Sequence, residues 1–487
     1  MWHRSAKALG ALWGAFFCSI FSSSALGALP LPLSDPYSVD SLVAPAPNRY
    51  WLPREPLPEV SVAGITTVIP PDFAGPLSLA QLTDLALRLN PRTRQVWAQA
   101  RAEAAALGIE RADELPQASV LYSFTRNQTA SATSGVLVAA QNRHGPSVSL
   151  SYVLFDFGTR ANEIEAARFR LLAANLTQNR TLQQIVFEVE QAYYRLMGFE
   201  ALVRANRESL KNFATSLDAT QRRRESGLAT VGDVYRAETA VSQARLALQR
   251  SEGEYWKLRG LLNVSIGLPV AHELNLQPVS NLPPVREIGQ SLESLLKKAK
   301  ATRPDLVAAQ ARVQSARATA KAASTAGLPS IDVTATAGRT LYTDDRPGID
   351  TFSLGFNVRI PLFTGFRDTY NLRRAEALED QAQSVRDQLY TQTELDVWQS
   401  YYDLQTAVAT IGSTEAQVKS AQQTAQATLA RYQAGFGSIL DLITAQQDEA
   451  NARAQRIQSY LDWFTALARL NLSIGVDNIL AAAGEQK

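Results

Sequence analysis

The sequence predicts a mainly α-helical chain that carries a small membrane β-sheet and that is complete only as a trimer. Three observations lead to this fold class. The chain contains one long unit twice, each copy holds a helix far longer than a globular domain, and each copy holds two short segments in which apolar and polar side chains alternate.

Composition excludes several classes of protein before any motif is considered. The 487 residues include 48 Lys and Arg against 46 Asp and Glu, and 46% of the residues are hydrophobic. This balance is typical of an ordered chain, and it provides no excess of positive charge for a polyanion. We therefore expect no nucleic-acid partner.

Residues 1–27 are predicted to be a secretory signal peptide. Basic residues up to Lys7 precede an apolar run from Ala8 to Phe21, and small residues follow it. The alternative, a retained membrane anchor, fits less well because this run is too short to span a bilayer comfortably. The only cysteine, Cys18, lies inside the run without the context of a lipoprotein cleavage site, so no lipid anchor is expected. The exported chain would then hold no disulfide and no thiolate metal ligand.

Residues 28–77 form a proline-rich segment with neither a helical nor a strand period. We expect an extended periplasmic lead-in here. Beyond the signal, no apolar run reaches the roughly 18 residues of a membrane-spanning helix. If the chain crosses a bilayer, it must therefore do so as β-strands.

The rest of the chain divides into two repeats, residues 78–267 and 291–475, with a linker at 268–290 and a tail at 476–487. The first repeat opens with SLAQLTDLALRLNPR, which aligns with SLESLLKKAKATRPD in the second. Near their ends, NVSIG aligns with NLSIG. A repeat of this length is a duplicated domain-sized unit and not a solenoid period. We expect each copy to fold as helix, strand, loop, strand, helix, helix.

The helical segments of the two copies correspond. The first copy predicts a helix from about Leu79 to Ala112, ended by Leu115-Pro116, and then a proline-free stretch from Phe157 with one break at Ser226-Gly227. The second copy repeats the long stretch from about Phe366 to Ala434. In each copy, the helical stretch before the break would be about 100 Å long. Such helices need neighbours along their whole length, as in a coiled coil or helical barrel, although a bundle of kinked antiparallel helices is an alternative.

Four segments alternate apolar and polar side chains, which is the pattern of a strand with one apolar face. In a water-soluble sandwich such faces would cover each other, but the rest of this chain is helical. Strands of about 10 residues with this pattern are typical of outer-membrane barrels, which need about eight strands to close. We therefore predict that three chains pool their strands into a 12-stranded barrel with a water-filled lumen. The predicted strands are residues 117–126, 147–155, 330–340 and 351–363.

With these features in view, the chain resembles the TolC family of outer-membrane factors, the trimeric channel-tunnels of tripartite efflux pumps and type I secretion systems. The motifs that carry the resemblance occur in order and in duplicate: the strand ends VLFDFG and IPLFTGF, the pairs QAYY and QSYY, and the turns ESGLATVGDVYRAETA and RYQAGFGSILDLITAQQ. The resemblance covers about residues 78 to 475. It implies a 12-stranded outer-membrane β-barrel continuous with a long periplasmic α-helical barrel, and an equatorial region formed partly by the linker and the C terminus.

The break in each long helical stretch is a candidate functional turn. Gly227 and Gly435 end the preceding helices, and the sequences TVGD and SILD that follow them have the spacing of a capping box. Their aspartates, Asp233 and Asp441, are thus candidates for simple helix caps. The functional alternative comes from symmetry, because one aspartate per chain at the mouth of a trimer forms a ring of three that favours cations.

The resemblance assigns roles to three residues near these turns. In the resembled family the position matching Asp441 forms the entrance ring, and the positions matching Tyr432 and Asp233 belong to contacts that hold the mouth closed. Gly437 stands where an arginine tie is expected, and Thr444 stands where a second acidic ring is expected. We therefore expect the closed-state lock of this chain to be weaker or built differently.

Three consecutive cations, Arg222, Arg223 and Arg224, precede Gly227. Cations in a last helical turn complement the helix dipole and stay solvated, which is the simpler interpretation. The alternative is that they dock a periplasmic adaptor protein at the tip.

Aromatic residues recur at matching mid-helix positions of the two repeats. Tyr193 and Tyr194 of the first copy correspond to Tyr401 and Tyr402 of the second, and Trp398 lies shortly before the second pair. We expect these rings to pack between helices rather than to contact cargo.

Nothing in the sequence predicts catalysis. Histidine occurs only at His3, His144 and His272, and His144 is expected in an exposed loop. There is no nucleophile elbow, HExxH motif or phosphate-binding glycine loop, so we expect no enzyme activity, no catalytic residue, no cofactor and no bound metal. The remaining alternative is a periplasmic coiled-coil adaptor or structural scaffold without its own pore, which would share the long helices but not the duplicated strand pairs.

The sequence therefore predicts the outer-membrane channel of a tripartite export machine. This channel would be a passive homotrimeric conduit in the outer-membrane lipid of a Gram-negative cell, extending into the periplasm. The resemblance implies its partners, a periplasmic adaptor protein and an inner-membrane ABC exporter or RND pump that supplies the energy. The cargo stays open between small molecules, such as drugs, metals or solvents, and a protein toxin exported by type I secretion.

Overall fold

The computed structural model describes residues 75–128, 135, 137, 140–277, 289–343 and 346–476. The expected signal peptide, nearly all of the proline-rich segment, the centre of the linker and the tail beyond residue 476 lie outside the described residues. Within the described part, each repeat contributes two short helices, two strands and two long helices in the same order.

The bounds of these elements follow the order that the sequence predicts. The first repeat consists of α1 (Leu79–Leu89), α2 (Pro91–Ala112), β1 (Gln117–Asn127), β2 (Gln141–Phe155), α3 (Thr159–Glu225) and α4 (Val231–Ile266). The second repeat consists of α5 (Leu292–Thr302), α6 (Pro304–Thr325), β3 (Ser330–Tyr342), β4 (Ile349–Arg359), α7 (Arg367–Gln433) and α8 (Ile439–Ile474).

The expectation of one continuous helix from Leu79 to Ala112 is wrong, because the helix breaks at Asn90. The proline that follows forces Asn90 into an extended conformation, with φ −62° and ψ 126°. The Asn90 side chain then caps α2 and also donates to the Ser265 carbonyl at the end of α4, at 2.9 Å. The Arg303-Pro304 pair makes the same break between α5 and α6.

The four strands form one antiparallel sheet in the order β1-β2-β3-β4. Two strand ends differ from the predicted bounds by more than two residues. The second strand begins at Gln141 rather than residue 147, so the expectation that His144 lies in a loop is wrong. The fourth strand ends at Arg359 rather than residue 363, because Pro361 has no N–H to donate to a ladder.

The register of the sheet places apolar residues opposite apolar residues. One row across the four strands consists of Val120, Val148, Ala337 and Phe352. The neighbouring row consists of Ser119, Ser149, Thr336 and Ser353. Because direct cross-strand partners share a face and successive residues alternate, one face of the sheet is apolar and the other carries hydroxyl groups.

The long helices pack side by side in two rows. Helices α3 and α7 have 67 residues each, so each is about 100 Å long. In the half that leads to the glycine breaks, α4 packs on α3, α3 on α8 and α8 on α7. In the half that adjoins the sheet, α2 packs on α3, α3 on α6 and α6 on α7. Both rows therefore end on α7 at one side and on a helix of the first repeat at the other.

The short helices supply one apolar cluster to each repeat. Helix α1 buries Leu82 against α3 and α4, and α5 buries Leu295 in a cluster with Trp463 between α7 and α8. Full burial of each such leucine contributes about 1.5–3 kcal/mol. A parallel bridge joins Leu77, the residue before the first repeat, to Leu276 of the linker. These contacts hold the middle of the two helical rows.

A charge network closes the end of α8. The Arg303 side chain is 3% exposed and contacts Asp305 at 2.6 Å and Asp396 at 3.1 Å. From α3, Arg180 reaches Asp305 at 3.4 Å and donates to the Leu472 carbonyl at 2.8 Å. The last carbonyls of a helix lack partners within it, so these cations satisfy them and also oppose the negative end of the helix dipole.

At the equivalent position of the first repeat, a different ion pair forms. Arg92 contacts Glu188 at 2.8 Å, and both side chains are partly exposed. In the alignment of the repeats Glu188 corresponds to Asp396, but Asp305 occupies the position that matches Arg92. The second repeat therefore draws its cation from Arg303 and buries it.

Replacement of Arg303 by methionine should lower the free energy of unfolding by about 3 kcal/mol, because two carboxylates lose a buried cation. Asp305 and Asp396 keep some contact with solvent, so we expect a value at the low end for a broken buried pair. Thermal unfolding in detergent, followed by tryptophan fluorescence, measures the loss. Arg92→Met is the matched control, and its exposed pair should contribute at most about 1 kcal/mol. Equal unfolding midpoints for Arg303→Met and the wild type would contradict the role given to Arg303.

The same network predicts a pH dependence. Burial alone would raise the pKa of the Asp305 carboxyl, but hydrogen bonds from Arg303 and the charges of Arg180 and Arg303 lower it below its ordinary value. The contribution of Asp305 to stability is therefore complete above the unfolded-state pKa of about 3.9, and it is lost as the pH falls through the lowered folded-state value. Asp305→Asn should lower the unfolding midpoint at neutral pH, and the difference from wild type should shrink below about pH 4. A difference that stays constant from neutral to acid pH would rule out this assignment.

Candidate functional site

The apolar face of the sheet is uncovered in the chain. Val120 is 75% exposed and Phe352 is 74% exposed, and Leu354, Phe356 and Val358 of the same face are exposed as well. Contact of such a surface with water costs about 25 cal/mol per Å². A continuous exposed apolar area of this kind marks a surface that meets membrane or protein.

The opposite face carries polar groups that bond to one another. The hydroxyls of Ser119 and Ser149 lie 2.7 Å apart, and the Asn357 amide donates to Asp332 at 2.9 Å. Val153 also lies on this face, beside a register shift between Val153 and Phe155. A face built from hydroxyl, amide and carboxylate groups is suited to contact with water.

The sheet has two open edges. In the part of the chain that the structure describes, β1 pairs only with β2 and β4 pairs only with β3. In hydrocarbon, each unpaired backbone N–H or C=O costs several kcal/mol. One chain alone therefore cannot place this sheet in a bilayer.

The two glycine breaks have matching backbone geometry. Gly227 has φ 73° and Gly435 has φ 86°, left-handed values that favour glycine and that end α3 and α7. The residues that follow, Leu228 and Phe436, are exposed in both turns. The predicted tip turns are thus two copies of one structure.

Asp233 completes a reciprocal capping box at the start of α4. Its carboxylate accepts from the Thr230 N–H at 2.9 Å and from the Thr230 hydroxyl at 2.8 Å, while the Thr230 hydroxyl accepts from the Asp233 N–H at 3.2 Å. These bonds to Thr230, together with the charge of Arg236, lower the pKa of Asp233. The interpretation of Asp233 as a helix cap accounts for its geometry.

Asp441 occupies the matching position in α8 but is bonded differently. The Ser438 hydroxyl accepts from the Asp441 N–H at 3.1 Å, so half of the capping box forms. The return bond does not form, and the exposed Asp441 carboxylate has no hydrogen-bond or ion-pair partner among the residues that the structure describes. Asp441, unlike Asp233, therefore leaves its charge available to ions in solution.

Tyr432 is buried at the end of α7, where α3 holds it. Its hydroxyl lies 3.0 Å from the Thr220 hydroxyl. Arg223 donates to the Tyr432 carbonyl at 2.6 Å, and its guanidinium carbon lies 4.8 Å from the centre of the Tyr432 ring. The Asp233 carboxylate bonds to Thr230 and not to Tyr432. These contacts of Tyr432 were not predicted from the sequence. The available signal was the helical spacing of Ser216, Thr220 and Arg223, which places these polar side chains on one face of α3.

The geometry of the turn explains Gly437. A Cβ at this position would lie 3.1 Å from the backbone nitrogen of Tyr432, which is tighter than ordinary van der Waals contact. An arginine at Gly437 would require the turn to shift. Arg223 of α3, and not residue 437, donates to the Tyr432 carbonyl.

The remaining residues predicted at the tip lie on the surface. Thr444 is exposed one turn beyond Asp441. Arg222 forms an exposed ion pair with Asp218 at 2.9 Å, and Arg224 is exposed. Of the three consecutive arginines, only Arg223 is engaged by the neighbouring repeat through the contacts given above.

The mid-helix aromatic residues differ between the repeats. Tyr193 is buried, and Tyr194 stacks on Phe464 with ring centres 4.3 Å apart. In the second repeat the rings of Trp398 and Tyr402 lie 5.1 Å apart, and both remain exposed. The first pair therefore packs within the chain. In the second pair Tyr401 is partly buried against the apolar cluster that contains Leu295 and Trp463, whereas Tyr402 and the nearby Trp398 present their rings on the surface.

Among the residues that the structure describes, no three or more His, Cys, Asp or Glu side chains are grouped so that they could hold a metal ion. No α-helix in the described ranges combines the length and the hydropathy that a membrane-spanning helix needs.

Comparison with known proteins identifies the family. The model of the outer membrane efflux protein family matches residues 82–257 and 295–476, once in each repeat. Protein CyaE of Bordetella pertussis is 30% identical to this chain over 85% of the chain and 86% of the relative. The toluene efflux pump outer membrane protein TtgF of Pseudomonas putida is 25% identical over 82% of the chain and 83% of the relative. The solved outer-membrane channel OprN aligns with a TM-score of 0.75 and 20% identity over 82% of this chain and 89% of that one.

These matches confirm the resemblance and the fold class that the sequence predicts. The alignment with OprN shows the same fold, and the double match of the family model confirms the internal duplication. The family description confirms the predicted outer-membrane location and export function. Because the family model matches most of both repeats, the chain belongs to the outer membrane efflux protein family.

Proposed function

We propose that three copies of this chain form one passive conduit, which leads substrate from the periplasm across the outer membrane. The observation that carries the proposal is a sheet with an exposed apolar face and two open edges. Pairing β4 of one chain with β1 of the next satisfies both edges and, after three chains, closes a 12-stranded barrel. The apolar face then meets lipid, and the hydroxyl face lines a lumen filled with water.

The helices support the same arrangement. Helix α2 leads into β1 and α7 follows β4, so the ends of the helical rows fall at the same chain boundaries as the open edges of the sheet. Closing the sheet therefore also closes the helical rows into a tube. Each long helix would extend that tube by about 100 Å into the periplasm.

The tip turns form the proposed entrance. Three exposed Asp441 carboxylates around a threefold axis would create a negative ring that favours cations. The Tyr432 side chain and its tie to Arg223 would hold α7 against α3 within one chain at this mouth. We assign Asp233 to the closed mouth as well, as the residue that fixes the start of α4.

The proposed partners are a periplasmic adaptor protein and an inner-membrane pump, either an ABC exporter or an RND pump. The name of the relative TtgF, an efflux pump outer membrane protein, supports this assignment. Arg222 and Arg224 are exposed near the tip and are the proposed adaptor contacts. Arg223 is engaged by Tyr432 and is a poorer candidate for docking.

The cargo is either a set of small molecules or a protein exported by type I secretion. A strain that lacks this chain separates the two classes. Sensitivity to drugs, metals or solvents in that strain indicates efflux, whereas loss of a secreted protein from the medium indicates type I secretion.

A periplasmic adaptor or scaffold without a pore is the second candidate. It would use the long helices, but it would give no role to a sheet that exposes an apolar face on one side and hydroxyl rows on the other. The family to which the chain belongs consists of outer-membrane efflux proteins, so we propose neither catalysis nor the scaffold function.

Extraction from membranes tests the conduit directly. We expect the protein to resist high salt and to leave the membrane only with detergent, because the apolar face contacts lipid. Light scattering of the purified protein, corrected for bound detergent, should give the mass of three chains. A monodisperse monomer that stays in solution without detergent would refute the proposal.

Replacement of Asp441 by asparagine should reduce the ratio of cation to anion permeability by about twofold or more, because a ring of three charges disappears. Reversal potentials of single channels in planar lipid bilayers under a salt gradient measure this ratio. Asp448→Asn is the control, since Asp448 is exposed on the same helix but lies farther from the turn. If Asp441→Asn and Asp448→Asn both keep the wild-type ratio, Asp441 does not form the entrance ring.

A further inference from the structure

We infer that Tyr402 of one chain stacks on Trp256 of a second copy of this chain. The inference rests on the proposed function, because it requires three chains in a ring. It adds the identity of the side chains that seal neighbouring chains at the middle of the helical tube.

The starting point is a contact within the chain. Tyr194 on α3 stacks on Phe464 on α8, with ring centres 4.3 Å apart and planes inclined by 10°. Phe464 is only 6% exposed, covered by this stack together with the apolar cluster that contains Trp463. This stack crosses the boundary between the first and second repeats.

Each ring of that stack has an equivalent in the other repeat. Tyr194 ends the QAYY motif of α3, and Tyr402 ends the matching QSYY motif of α7. Phe464 and Trp256 occupy the same position in α8 and α4, which both have 36 residues and end in the matching sequences NLSIG and NVSIG. The equivalents of the stacked pair are therefore Tyr402 and Trp256.

These equivalent rings are uncovered in the single chain. Trp256 is 62% exposed and Tyr402 is 44% exposed, in contrast to the buried Phe464. Large aromatic side chains gain substantially from burial, and a stacked pair gains about 0.5–1.5 kcal/mol beyond the buried area. Within the chain Tyr402 contacts Trp398 and Trp256 contacts Tyr255, but neither ring has the partner on the other repeat that its equivalent has.

In the closed trimer, the order of the helices brings the side chains of Tyr402 and Trp256 together. Helices α4 and α7 lie at opposite ends of the row α4-α3-α8-α7. When the row closes, α7 of one chain meets α4 of the next, as α3 meets α8 within the chain. The boundary between repeats inside one chain therefore recurs between chains, with Tyr402 in place of Tyr194 and Trp256 in place of Phe464.

The same equivalence fails at the tip. Arg223 corresponds to Arg431, and Tyr432 corresponds to Arg224. The tie that Arg223 makes to Tyr432 within one chain would thus become a contact between two arginines across the chain boundary. Neighbouring chains are therefore joined by aromatic stacking at mid-height and lack the corresponding tie at the mouth.

Cysteine cross-linking tests the stack. Cys18 is the only cysteine of the sequence, so a Cys18→Ser background is free of thiols. In outer-membrane vesicles carrying Trp256→Cys together with Tyr402→Cys, a short bismaleimide should produce covalent dimers and trimers on denaturing gels. Either single variant should give none. The matched control pairs Tyr402→Cys with Trp97→Cys, because Trp97 is similarly exposed but lies on α2 in the other row.

The outcomes separate this inference from the proposed function. Light scattering of the unlinked protein reports whether three chains assemble. If trimers form but the Trp256→Cys and Tyr402→Cys pair links no better than the control pair, or links only within one chain, the stack is overturned and the conduit stands.

A second measurement avoids dependence on the cysteine variants. The double substitution Trp256→Ala with Tyr402→Ala should lower the temperature at which trimers dissociate on semi-native gels by several degrees or more, and Trp256→Phe with Tyr402→Phe should restore it. Trp97→Ala should leave that temperature nearly unchanged. Equal dissociation temperatures for the wild type and the double alanine variant would overturn the stack.

Discussion

A strand in hydrocarbon must have every backbone N–H and C=O paired, and among the described residues of this chain the outer edges of β1 and β4 have no strand beside them. The same sheet exposes an apolar face that water does not stabilise. Both problems are solved together when the edges of neighbouring chains pair inside a bilayer. In the proposed trimer, the closed helical tube and the arrangement of the tips around one axis would follow from that pairing.

Because the unit is duplicated, many of the contacts between the two repeats within one chain could recur between chains in the proposed trimer. The places where the two repeats differ are therefore informative. The cation that pairs with the matching carboxylate is Arg92 in the first repeat, where it is partly exposed, and Arg303 in the second, where it is buried. At the tip, Asp233 is held in a reciprocal cap while Asp441 is not. These differences show where the duplicated unit has diverged, and they lie in the middle and at the mouth of the helical rows.

Most of the architecture could be predicted from local patterns. Alternating side chains define the strands, and a glycine followed by a capping sequence defines each tip turn, since both depend on residues close together in the chain. The break at Asn90 was also encoded locally, in the proline that follows it.

The contacts between distant segments could not be read in this way. The sequence places Arg223 at the end of a helix, but only the fold, in which Tyr432 at the end of α7 reaches α3, shows that its partner is Tyr432. The half-formed cap at Asp441 is likewise a matter of side-chain conformation, because SILD and TVGD have the same acid spacing. Periodicity shows which face of a helix is buried and does not show which neighbour covers it.

The central claim is that the edges of the sheet are paired between chains, and amide hydrogen exchange of the protein in lipid nanodiscs tests it most directly. If the barrel closes, backbone amides of β1 and β4 should exchange as slowly as those of β2 and β3. Slow exchange in β2 and β3 beside fast exchange along the outer edges of β1 and β4 would contradict the account.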